Sequence, residues 1–281
     1  HPLGDSPPLR SLLRRGMKLT IAFDDISLPL PPMRRPDVRQ RIIEAVLDQA
    51  AEAGVDDVHI IAALALHRRM TEAELRHAVG DRVYDAFAPH GLLYNHDAED
   101  PDNLAFLGTT PQGEEVEINK RAAESDLLVY VNINLVSMDG GHKSTATGLA
   151  SYRSLRHHHN VQTMQHSRSF MDRHRSDLHS SNWRMGKVLR DAGVKVFQIE
   201  TTLNNDTFGG SGPMSVLQKR EWEWSARDRA TFVGMKAGLD RLPLKARRKI
   251  FHSWQAPYGL TSVQAGEIEA VHEATTENVF R

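Results

Sequence analysis

Three stretches leave this chain few ways to fold. Met17 to Phe23, Val58 to Leu66 and Asp126 to Leu135 are runs of nearly unbroken apolar character. Such short runs read as strands covered on both faces, the habit of a parallel sheet rather than of a half-solvated antiparallel one. Helical patterns separate them. Pro36-Asp37 opens a helix to about Ala53, with Ile42, Ile43, Val46 and Leu47 on one face and Gly54 as its stop. Thr71 to Glu74 is a capping box that starts another helix, and Asp81 to Phe87 is a third, shorter one. Further on, Trp183 to Ala192 reads as helix, Val194 to Leu203 as a fourth strand, Gln218 to Phe251 as charged helices, Leu260 to Gly266 as a last strand and Glu267 to Val279 as a closing helix. The alternation predicts an α/β fold with a mostly parallel, Rossmann-like sheet and helices on both faces.

The strands end in chemistry-bearing residues. The first delivers Asp24-Asp25, the second His67-Arg68, the shorter Leu92–Tyr94 run leads to Asn95-His96-Asp97, and the last enters Gly140-Gly141-His142-Lys143. Open α/β sheets bind ligands at the carboxyl ends of their strands, so Asp25, Arg68, His96 and Lys143 are expected to converge on one edge. Each also has a plainer reading. The aspartates suit turn and capping roles. Arg68 just before a helix suits an anion or simply the surface. His96-Asp97 suits a general base with its carboxylate or a structural pair. The two glycines permit a tight turn and close approach to a ligand, and the lysine amine that follows can be charged, neutral or covalently linked.

Sixteen residues after Lys143 the run His157-His158-His159 ends. If Ala150 to His159 is one helix, Tyr152, Leu155 and His159 share its apolar stripe and His157 points away. His159 is then the imidazole that faces Lys143. The alternative is a solvated histidine run at a helix end.

The 281 residues carry a net charge of −1, which gives no global field for nucleic acid or an anionic membrane. There is no cysteine, so disulfides, thiolate metal sites and a cysteine nucleophile are excluded. The His/Arg/Ser-rich stretch Met164–Asn182 lacks the interleaved aromatics of a single-strand binder. No apolar run approaches the roughly 20 residues of a membrane span, and no signal peptide is visible, so a cytoplasmic protein is expected. A hydrolytic zinc enzyme is disfavoured by the lack of a His-Glu-x-x-His pattern.

Together these motifs resemble the nickel-pincer lactate racemase family. Its Asp-Asp-x-x-x-Pro-x-Pro loop is similar to Asp24 through Pro31, its Gly-x-His-Arg-x-Met-Thr segment to Ala65 through Thr71, its Asn-His-Asp to Asn95-His96-Asp97, and its Gly-Gly-x-Lys to Gly140 through Lys143. The family's nickel histidine falls on His159. The resemblance implies a cofactor, nickel held by pyridinium-3,5-bisthiocarboxylic acid mononucleotide, linked through Lys143 and bordered by Ala65, Leu66, His67 and Arg68. It implies His159 as the metal ligand, Arg68 as the binder of the substrate carboxylate and His96 as the catalytic base. The implied reaction is hydride removal from C2 of a 2-hydroxy acid and its return to either face. The partners implied are that small acid and the enzymes that make the cofactor, with self-association left open. Three departures stand out. Ile133 occupies the position of the family's second catalytic histidine, Leu28 replaces an arginine of the Asp-Asp loop, and Ala63 to Leu66 replaces the carboxylate or glycine before His-Arg. They point to a racemase or epimerase for a 2-hydroxy acid other than lactate, or to a non-catalytic relative that binds the cofactor or a small acid. Residues 1–281 are expected to form a single α/β domain like the family's N-terminal domain, its C-terminal domain absent or trimmed.

Overall fold

In the computed structural model, which describes residues 1–25, 32–204, 208, 212–253 and 255–279, the apolar runs become the centre of one sheet. The strands are Lys18–Asp24 (β1), Asp57–Ala63 (β2), Leu93–Asn95 (β3), Leu104–Thr109 (β4), Glu115–Asn119 (β5), Leu127–Asn134 (β6), Val196–Asn204 (β7) and Gly259–Gly266 (β8). The order is β3-β2-β1-β6-β7-β8, with β4 and β5 apart as an antiparallel hairpin. All neighbours in the six-stranded sheet are parallel except β7 and β8. β1 lies between β2 and β6, with Ile21 opposite both Ile60 and Val129.

Alternation along the central strands divides the core. Leu19, Ile21, Phe23, Ile60, Ala62, Val129 and Val131 face the layer that holds Ile43 and Val46 from the helix Val38–Glu52 and Leu75 and Val79 from the helix Glu72–Val79. Ala22, Ile61, Ala63, Leu128 and Tyr130 face the opposite side with Leu149. The helix Asp177–Asp191 packs there against the β4–β5 hairpin through Met185 and Leu189, which join Val116, Ile118 and Leu155. Both faces are therefore covered, as parallel strands require.

The strand order matters for function. The chain runs outward from β1 through β2 to β3, then crosses back to the other side of β1 as β6. The loops after β1 and β6 diverge, leaving the crevice in which sheets of this type hold ligands. The part of the Asp-Asp loop from Ile26 to Pro31, including Leu28, lies outside the described residues, as does most of the Asn204–Gly212 loop. Among the described residues no helix is long and apolar enough to cross a membrane.

Candidate active site at the β1–β6 crevice

The end of β1 is clamped from below. Arg39, on the first turn of the helix Val38–Glu52, is buried against the fully buried Asp37 (Nη2 to Oδ2, 2.7 Å) and donates from Nη1 to the carbonyls of Asp24 and Asp25 at 2.9 and 3.0 Å. The Asp24 carboxylate ties β1 to β6 beyond the ladder. It accepts from the Ile133 amide at 2.7 Å and from the Tyr130 hydroxyl at 3.0 Å. Burial, with the neighbouring Asp139 and Asp25 charges, outweighs those donors and lifts its pKa to about 7.

Asp25 reaches the next strand. Its Oδ2 lies 2.9 Å from His67 Nδ1, and this hydrogen bond raises the imidazole pKa. His67 follows a turn in which Ala65 adopts φ +51, a left-handed conformation, with its N–H on the Gly148 carbonyl at 3.0 Å. A side chain is tolerated there at a cost that glycine avoids.

The Lys143 loop is held from the other side. Glu200 on β7, fully buried, accepts from the Gly141 N–H at 2.6 Å, from Gln198 Nε2 at 3.1 Å and from Asn134 Nδ2 at 3.2 Å. Its Oε2 is 3.3 Å from His272 Nδ1, on the helix Ile268–Val279. This packing explains the glycine pair. Gly140 and Gly141 have φ +92 and +58, and a Cβ would sit 2.6 Å from the Glu200 carboxylate at the first and 2.8 Å from the His272 ring at the second. Lys143 then projects its amine to 3.2 Å from Asp139 Oδ1, while Asp139 Oδ2 accepts from the amides of Leu135 and Val136.

His159 reaches the same locality by a different route from the one expected. The helix covers only Tyr152–Leu155. Asn160 donates to the carbonyls of Arg156 and His157, both at 2.9 Å, and accepts from the Thr163 amide as N-cap of the next helix, so local side-chain bonding ends the first helix early. The wheel drawn through His159 therefore does not hold. Tyr152 is exposed, His158 is the buried imidazole, and His157 pairs with Glu115 at 3.3 Å. His159 is open to solvent. Even so, the packing around it, then Lys143 and His67, lower its pKa. Asp25 and His67 are thus in contact, and His159 lies within electrostatic reach of His67 and Lys143.

Two expected members are engaged elsewhere. The two terminal guanidinium nitrogens of Arg68, Nη1 and Nη2, donate to Glu74 at 2.8 and 2.7 Å in a bidentate pair. Burial favours a protonated Glu74, but Arg68 and Thr71 outweigh it and hold the pKa at about 2. The capping box read from the sequence is present, and its glutamate has taken the fork expected for a substrate. His96 is 2 % exposed, with Nε2 donating to the Ala150 carbonyl at 3.0 Å and Nδ1 accepting from Asn119 at 3.4 Å. Burial lowers its pKa, so it is a neutral tie between the β3 end, β5 and the loop before Ser151. Ile133 is buried against Met33 and Val38. Ala65 is buried and Leu66 exposed on the turn leading to His67.

A cleft of about 1020 Å³ opens beside Lys143, bordered also by Gly140, Gly141, His179, Trp183 and His272. His179 and His272 stack with centroids 6.5 Å apart and planes 20° from parallel. Burial, then His272 and Lys143, push the His179 pKa down to about 4. Glu200, His272, His179 and Asp139 were not found from the sequence. The one available signal was a glutamate inside an otherwise apolar and neutral strand.

Comparison with known proteins agrees with this architecture. The description "Lactate racemase N-terminal domain" matches residues 1–172. The lactate racemase of Lactiplantibacillus plantarum is 27% identical over 163 residues, covering 57% of this chain and 36% of that protein. The lactate racemase of Thermoanaerobacterium thermosaccharolyticum is 26% identical over 168 residues, with the same two coverages. The chain thus spans about a third of the length of these relatives. The lactate racemase apoprotein structure from T. thermosaccharolyticum superposes with TM-score 0.62 at 18% identity, over 99% of this chain and 52% of that one. A Thermotoga maritima protein gives TM-score 0.59 at 15% identity, over 100% and 60%. These two superpositions bear on the fold. The match over residues 1–172 makes the assignment: the chain belongs to the lactate racemase N-terminal domain family.

Proposed function

We propose that this chain carries the cofactor-bearing site of a racemase or epimerase for a 2-hydroxy acid, with a nickel-pincer nucleotide as resident cofactor. The observation that supports it most is that His159 lies within electrostatic reach of Lys143 and His67, in a chain of this family.

The donor set fits such a cofactor better than a bare ion. Among the described residues no three His, Asp or Glu side chains are arranged to hold a metal. A metal that arrives within its own chelating ligand needs a single protein donor, and His159, open and kept neutral by its surroundings, supplies one. Lys143 would carry the nucleotide and Asp139 would steady its amine. Ala65, Leu66, His67 and Arg68 would border it. When bound, the group supplies a hydride acceptor and donor.

The chain's own part is binding and proton handling. Asp25 orients His67 through Nδ1, leaving Nε2 to take the substrate hydroxyl proton. His67 therefore suits the role of base in this geometry better than His96, whose two nitrogens are already engaged. Arg68 would hold the substrate carboxylate by exchanging it for Glu74. The partners of this reading are the 2-hydroxy acid and the cofactor-making enzymes, in the cytoplasm.

The second reading, a relative that binds the cofactor without turnover, draws on the engaged His96 and on Ile133 at the second-base position. A panel of 2-hydroxy acids deuterated at C2, offered to cofactor-loaded protein, separates the two. Inversion with deuterium retained supports the racemase; binding without inversion of any acid supports the second reading.

A further inference from the structure

The lysine of the Gly-Gly-x-Lys motif has a partner that none of the motifs supplies. Lys143 Nζ lies 3.2 Å from Asp139 Oδ1, and Asp139 is the hydrogen-bond partner of that amine among the described residues. The two are four positions apart, but not along a helix. Gly140 and Gly141, at φ +92 and +58, turn the backbone between them, and the helix Lys143–Ala146 starts only at the lysine. The glycine turn makes the pair, rather than the routine spacing of a solvated helix face. Nor is it an open surface pair, since only 23% of the Lys143 side chain and 18% of the Asp139 side chain are exposed. The turn also fixes the carboxylate. Oδ2 accepts from the amides of Leu135 and Val136 at 3.2 and 3.3 Å, the Asp139 N–H donates to the Val136 carbonyl at 3.0 Å, and the Asp139 carbonyl accepts from Asn134 Nδ2 at 2.7 Å. Oδ1 is left for the amine, and Lys143 borders the cleft.

We propose that Asp139 is the general base that frees the Lys143 amine to attach the cofactor. This rests on the reading above, in which Lys143 carries the nucleotide. An alkylammonium has no lone pair to attack with until a proton leaves it, so an amine nucleophile needs an adjacent acceptor. The ammonium proton passes to Asp139 Oδ1, the freed lone pair forms an N–C bond to a thiocarboxyl carbon of the nucleotide, and the C–O bond of that group breaks. The oxygen leaves as water, taking the second amine proton and the one held by Asp139. The carboxylate is thereby restored, and the sulfur stays with the cofactor. No redox partner enters, because ammonium and thiocarboxylate together give thioamide and water. The Leu135 and Val136 amides hold the carboxylate in place through both transfers.

The test mixes cofactor-free protein with pyridinium-3,5-bisthiocarboxylic acid mononucleotide and follows the Lys143 adduct over time by intact mass and peptide mapping. Wild type, Asp139→Asn and Asp139→Glu are compared from neutral to mildly alkaline pH. Asparagine keeps an oxygen for the Leu135 and Val136 amides but cannot take a proton at these pH values. The expected result is attachment about 10²-fold slower in Asp139→Asn at neutral pH, a deficit that shrinks as hydroxide replaces the base, and partial recovery in Asp139→Glu. The sign separates a base from an ion-pair partner, since a carboxylate that only holds the ammonium charged would, once removed, let the amine react faster. Attachment as fast or faster in Asp139→Asn would overturn the base and leave the cofactor reading standing. So would a loss in both variants that does not change with pH, which would confine Asp139 to shaping the turn. Wild-type protein that forms no adduct with the nucleotide at any pH would overturn the cofactor reading and this proposal with it.

Discussion

Alanine at position 141 should destabilise the protein by roughly 2–5 kcal/mol, from two separable sources. Gly141 has φ +58, where an L-residue costs about 1–2 kcal/mol. The new Cβ would also stand 2.8 Å from Cδ2 and 2.9 Å from Cγ of His272, an overpacking that costs about 1–3 kcal/mol. His272 cannot simply swing away, because Glu200 holds its Nδ1. At roughly 2–4 °C per kcal/mol for a chain approaching this size, thermal unfolding should shift down by on the order of 10 °C. The diagnostic comparison is Gly141→Ala made again in a His272→Ala background and measured by urea unfolding. There the steric share disappears and the backbone share remains, so the coupling between the two sites should be about 1–3 kcal/mol. Additive effects, or a Gly141→Ala cost below about 1 kcal/mol, would refute the claim that His272 and the backbone together demand glycine at this position.

Other outcomes follow from the same geometry. Ala65→Gly should raise stability by a few tenths to about 1 kcal/mol, since φ +51 is relieved and only part of the gain is lost to unfolded-state entropy; denaturation midpoints read it directly. Asp24 binds its proton more tightly when folded, with a pKa of about 7 against 3.8, so its contribution is complete below pH 4 and is lost as pH rises through 7. Asp24→Asn should therefore flatten stability between pH 4 and 8, and an unchanged slope in urea midpoints would contradict the assignment. His96→Ala should cost about 1–3 kcal/mol by orphaning the Ala150 carbonyl, without lowering nickel content; metal loss at full stability would mean that the buried placement is wrong. Arg68→Met removes a partly exposed pair and should cost at most about 1 kcal/mol of stability, while raising KM for the acid at least tenfold if the proposed carboxylate role holds.

How far the sequence reached depended on how local the determinants were. β1, β2 and β6 were legible because strands buried on both faces need unbroken apolar runs, and the Thr71–Glu74 box was legible because both of its bonds lie within four residues. The helix through His159 was misjudged because Asn160 competes for the carbonyls that would have continued it. Arg68 looked free because its partner Glu74 was assigned to capping alone, and one carboxylate does both jobs. The Glu200–His272 pair was beyond reach, since its members are 72 residues apart and meet the glycine loop only through the β6–β7 and β7–β8 pairings. The sheet edge was foreseeable from strand ends; which side chains on that edge remain free was decided by contacts between distant segments.

The central claim is that Lys143 and His159 belong to one cofactor site. Its most direct test is intact mass together with nickel analysis on protein co-expressed with cofactor-making enzymes, for wild type, Lys143→Ala and His159→Ala. The account predicts an adduct on Lys143 with bound nickel in wild type, neither in Lys143→Ala, and the adduct with depleted nickel in His159→Ala. Undiminished nickel in His159→Ala, or an adduct that survives Lys143→Ala, would contradict it.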